Sequence, residues 1–130
     1  DFKSYIKTSD FWADEWSIQI LEKLLNIKVI IMSYEEYKNK KNDNVILCTE
    51  KSDELSKLGI FNPEHYIIVD YLQNTHYKLV EYKNKSIFKF KELPFNIKEK
   101  IIKRCMTNNE SGIYNLIPDF NGFKLELENI

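Results

Sequence analysis

Cysteine, glycine and histidine are scarce in this chain, and each scarcity closes off a class of chemistry. Two cysteines, Cys48 and Cys105, are too few for a secreted disulfide scaffold, and both lie among apolar residues. They read as separate buried thiols in a reducing, intracellular compartment. None of the three glycines, Gly59, Gly112 and Gly122, stands in a Gly-x-x-x-x-Gly-Lys or Gly-x-Gly-x-x-Gly setting, so no phosphate cradle is expected. There is no Cys-x-x-Cys and no His-Glu-x-x-His, and a metal site would need His65, Asp70 and His76 to meet in space. No cofactor or metal is expected. Charge of one sign is lacking too: 19 Lys and Arg stand against 20 Asp and Glu, a net charge of -1. That balance offers no bulk attraction to nucleic acid or an anionic membrane. The longest apolar run, Ile27–Met32, is broken by Lys28 and falls far short of the roughly twenty residues of a membrane-spanning helix.

What is present is one domain's worth of core: 130 residues, 43% hydrophobic and 14% aromatic. A helix is expected from about Asp14 to Leu25, after the capping residues Thr8, Ser9 and Asp10. Its apolar stripe takes in Trp16, Leu21 and Leu24, and Glu15, Gln19, Glu22 and Lys23 are left to water. Asn26 ends it. Ile27–Met32 is β-branched and short, as a central strand covered on both faces would be. Ser33-Tyr34-Glu35-Glu36 has capping-box spacing, the lysine-rich tract 38–44 is loop, and Val45–Cys48 is a second strand. A short helix over 52–58 closes at Gly59. The strands His65–Tyr71 and His76–Tyr82, the polar turn Lys83-Asn84-Lys85 and the strand Ser86–Phe90 make an antiparallel meander. Asn96 then caps a helix burying Ile97, Ile101, Ile102, Cys105 and Met106. The tail Tyr114–Phe120 lies across the domain, and Phe123, Leu125 and Leu127 form a last extended segment. The fold class is α/β or α+β, a mixed sheet flanked by helices.

His76 is the most informative polar residue, because a strand start just after a turn can present an imidazole to a cleft while the sheet holds its backbone. Two readings stand beside each other there, a structural histidine and a general base. His65, after a proline-containing turn, reads as structural. Neither cysteine has the setting of an active nucleophile, which is a helix N-terminus beside a cation. The lysine-rich turns read as solvated loops and the aromatics mainly as core.

The run from Phe11 to Ile31, followed by Tyr66-Ile67-Ile68-Val69-Asp70-Tyr71 and Thr75-His76-Tyr77-Lys78-Leu79-Val80, resembles the C-terminal half of ovarian-tumour-like (OTU-like) cysteine proteases. Continued through Cys105-Met106 and Leu116–Phe120, it is similar to such regions encoded by large DNA viruses. The resemblance implies a papain-like partial domain over residues 1–130, without the N-terminal part that carries the catalytic cysteine. It makes His76 the general base and Tyr77 its neighbour. Lys78 stands where an acid or asparagine commonly orients the histidine, which leaves that task to Asp70 or another residue. The family's chemistry is hydrolysis of a ubiquitin isopeptide bond by a thiolate that the histidine activates. The Asp-Gly-Asn-Cys motif is absent, and the chain opens at Asp1, as a part of something longer would. Two functions follow as expectations: an inactive OTU-like domain in protein binding or viral assembly, or the histidine-bearing part of a deubiquitinase completed by an upstream cysteine segment. The implied partners are that upstream half, ubiquitin or a viral protein, in the host cytoplasm or the virion.

Overall fold

The computed structural model describes residues 15–33, 46–48, 59–72, 76–107 and 112–129. Its frame is a four-stranded mixed sheet of β1 (Ile27–Met32), β2 (Ile46–Leu47), β3 (His65–Leu72) and β4 (His76–Leu79), in the order β2-β1-β3-β4. The central pair β1 and β3 is parallel, with Ile27 opposite His65 and Ile31 opposite Val69. The two flanking pairs are antiparallel. Helix α1 (Glu15–Leu25) precedes β1 and lies on one face of the sheet. On the other face are α2 (Phe95–Ile101), the π-helical turn Ile102–Met106 that continues it, and α3 (Pro118–Glu128).

The strand period of two divides the core. Ile27, Val29 and Ile31 of β1 join Ile67 and Val69 of β3 under Ile18 of α1. Ile30, with Tyr66 and Ile68, faces Ile101, Met106, Ile117 and Phe120. Both faces of β1 are therefore covered, and a continuous β-branched run is what such a position demands. Asn26 makes the sharp turn from α1 into β1 in the left-handed region (φ 55°), which asparagine tolerates well. Its carbonyl accepts the Glu64 N–H at 3.0 Å, setting the start of β3 beside that of β1.

Several expectations are corrected. The apolar stripe of α1 is rotated: Ile18, Gln19 and Glu22 are buried, whereas Leu24 is 74% exposed. The segment after β4 is not a third meander strand. Val80 N–H still donates to Ile68 O at 2.8 Å, the chain then loops out, and Phe88 returns to exchange two hydrogen bonds with Tyr66 at 2.7 and 2.8 Å. The excursion is a tight hairpin, Tyr82 bridged to Lys85, with Lys83 (φ 50°) and Asn84 (φ 63°) both left-handed, as a mirror-image two-residue turn requires. Helix α2 begins at Phe95 after Pro94, so Asn96 lies inside it and does not cap it. Residues 118–128 are helical rather than extended, with Pro118 in the first turn and Asp119 near the N-terminal end of the dipole. Cys48 and Cys105, expected as separate thiols, are joined in a disulfide, Cα to Cα 5.4 Å. The turn at 33–36, the loop at 38–44 and the helix at 52–58 fall outside the described residues. Among the described residues no helix is long and apolar enough to cross a membrane.

Candidate functional site

His76 occupies the first position of β4, an edge strand, in register with Leu72, the last residue of β3. The next pairs are Tyr77 with Tyr71, their rings 5.3 Å apart, and Lys78 with Asp70. Asp70 thus meets Lys78 directly across the ladder and His76 only on the diagonal. His65 opens β3 at its other end, so the length of that strand places the two histidines' backbones about 20 Å apart. Among the described residues no group of three or more His, Cys, Asp and Glu is arranged to hold a metal ion.

The sulfurs lie elsewhere. Cys48 directly follows β2, the strand at the opposite edge from β4. Three strand spacings separate those edges, about 14 Å, beyond the reach of a thiol–imidazole hydrogen bond. The disulfide, together with Arg104 Nε–H donating to Ile46 O at 2.9 Å, fastens β2 to the π-helical turn. The turn itself is closed by Thr107 N–H donating to Ile102 O at 3.0 Å.

The buried polar groups form a second constellation that the sequence reading did not find. Lys28 and Glu22 are completely buried, and Lys28 Nζ is 2.7 Å from Glu22 Oε2. Among the described residues β2 pairs with Ile31 and Met32 and not with the start of β1. There Glu22 accepts the Val29 N–H at 2.8 Å, and Lys28 Nζ also donates to Val29 O at 2.9 Å. Lys28 lies 5.0 Å from the ring centroid of Tyr114, which is itself fully buried. The signal available beforehand was a lone lysine inside a β-branched run, six residues after a helical glutamate.

Tyr66 O–H donates to Asp119 Oδ2 at 3.2 Å. Burial first, then the charge of Asp119 and the hydrogen bond to it, raise the Tyr66 phenol well above its ordinary range. Burial does the same for Tyr114, with the charge of Glu22 adding to it. Among the described residues the Tyr114 hydroxyl has no hydrogen-bond partner. Phe120 packs edge-on against both tyrosine rings, at 5.9 and 5.1 Å. These groups hold protons firmly, and their arrangement is that of a buried core joined by the Tyr66–Asp119 and Lys28–Glu22 contacts.

No protein-family model, no curated protein and no solved structure matches this chain.

Proposed function

We propose that these residues form a catalytically inactive OTU-like domain that works by binding protein, in a viral assembly or with a host partner. The observation that carries this reading is the disulfide, which uses both cysteines of the sequence. A cystine sulfur has no proton for His76 to take and no thiolate to attack a carbonyl. Further support comes from the sheet, since the β1 and β4 segments that carry the resemblance lie in one ladder system. Large side chains on the surface, Leu24, Ile60 and Leu125 among them, supply the apolar area a binding domain uses. The setting proposed is the host cytoplasm or the virion, and the disulfide favours the virion, because cystines are rare in reduced cytosol.

A second reading draws on His76 standing at the start of β4, the last strand in the order β2-β1-β3-β4. In it an upstream cysteine segment completes a deubiquitinase that hydrolyses ubiquitin isopeptide bonds. The test is incubation with ubiquitin carrying an electrophilic C-terminal group, before and after mild reduction. No covalent adduct is expected. An adduct abolished by Cys48→Ser or Cys105→Ser overturns the inactive reading. An adduct formed only with an added upstream segment, and lost in His76→Ala, selects the deubiquitinase.

A further inference from the structure

Between β4 and α2 the chain builds a cleft of about 370 Å³. Its floor is apolar and firm, made by Phe88 and Leu93, both buried. One rim is the Tyr82–Lys85 hairpin, held by reciprocal backbone hydrogen bonds of 2.8 and 3.0 Å. The other is the 3-10 turn Phe90–Glu92 with Pro94 and Phe95. Phe95 is 53% exposed although its ring stacks edge-on against Phe123 at 5.7 Å, so it is fixed in place while open to solvent.

The charges of this region depart from those of the chain. Residues 81–100 carry six lysines against three glutamates, in a protein whose net charge is -1. Lys85 crosses the cleft to pair with Glu92, whose other oxygen accepts the Lys89 N–H at 2.8 Å. Lys83 extends along the Tyr82 ring, 5.4 Å from its centroid. Neither Lys83 nor Lys91 makes an ion pair among the described residues, and both line the cleft. The result is an apolar floor with Lys83 on one rim, Lys91 on the other and the Lys85–Glu92 pair between them.

We infer that this cleft is a docking surface for an acidic peptide segment carrying an aromatic or aliphatic anchor. The inference rests on the protein-binding reading and supplies its partner's chemistry. The volume lies within the ~300–1,000 Å³ of ligand clefts and has room for an anchoring side chain over Phe88 and Leu93. Carboxylates on either side of that anchor meet Lys83 and Lys91 and share Lys85 with Glu92, so complementary charge sets partner choice and encounter rate. The rigid hairpin and the stacked Phe95 lower the ordering cost of binding. A nucleic acid fits less well, because Lys83 already lies over the Tyr82 face that a base would stack upon.

The test is fluorescence polarisation of the whole chain with a short labelled peptide of aspartate and glutamate around a central phenylalanine. A labelled oligothymidylate and a lysine-for-acid version of the peptide serve as comparisons. The acidic peptide is expected to bind, to weaken as salt rises, and to lose at least about tenfold in affinity with Lys83→Glu plus Lys91→Glu. Lys83→Gln plus Lys91→Gln should lie between, and Phe95→Ala should weaken binding without removing its salt dependence. Thermal melts of each variant confirm folding. No binding, equal affinity in the charge-reversed variant, or tighter binding of the oligothymidylate overturns the inference. Those failures leave the inactive reading standing, which fails separately by capture of the ubiquitin probe.

Discussion

Lys28 Nζ lies 2.7 Å from Glu22 Oε2 with both side chains wholly out of solvent, so a charge from α1 and a charge from β1 neutralise each other inside the fold. Losing one partner leaves the other charge buried and alone. Lys28→Met should therefore cost about 3–5 kcal/mol. Adding Glu22→Gln to it should restore much of the loss, because the amide oxygen still accepts the Val29 N–H while the buried charge is gone. Urea unfolding of the two single variants and the double variant measures this coupling. Single losses under about 1 kcal/mol, the range of exposed pairs, would show that water reaches the site.

Tyr66 and Tyr114 make an internal control for what a buried hydroxyl contributes. Tyr66→Phe removes a donor bonded to Asp119 and should cost about 1 kcal/mol. Tyr114→Phe removes a hydroxyl that has no partner among the described residues, and should leave stability unchanged or raise it. Equal losses in the two variants, read from denaturant midpoints, would count against this account.

The same two phenols set a limit at alkaline pH. Their ionisation is held above the ordinary range in the fold, by burial first in both cases. Unfolded tyrosines lose their protons near about pH 10. Above that pH the unfolded chain binds fewer protons than the folded one, so stability is intact below it and falls as pH climbs. The slope is about 1.4 kcal/mol per pH unit for each tyrosine. Melts at rising pH should show the decline, and the double variant Tyr66→Phe plus Tyr114→Phe should flatten it.

Where local chemistry decides structure, the sequence reading agrees with the fold. The run Ile27–Met32 announces a strand covered on both faces, Asn26 a helix stop and Lys83-Asn84 a tight turn, and all three stand as expected. Where two periods compete it fails. Phe123, Leu125 and Leu127 alternate like a strand, yet Ile117, Phe120, Phe123 and Leu127 also recur at three and four, and Pro118 with Asp119 favours the helix. Burial of Glu22 was illegible because it depends on α1 folding back over the short end of the β2–β1 pairing. Of the candidate site, the strand-start position of His76 was readable; the distance of the sulfurs from it was not, since it follows from the strand order.

The disulfide gives the last and most consequential prediction. Cys48 and Cys105 are separated by 57 residues in sequence, so closing that loop restricts the unfolded chain by up to about 4 kcal/mol. Protein purified without reductant and then denatured should show no titratable thiol, and its melting temperature should fall when dithiothreitol is added. Cys48→Ala plus Cys105→Ala should melt like the reduced protein and be insensitive to dithiothreitol. In that variant β2 is held by its two-residue pairing with β1 and by Arg104, so amide exchange at Ile46 and Leu47 should speed up well before that of β3. Two free thiols in the native protein, with a melt indifferent to reductant, would remove the disulfide on which the inactive reading rests.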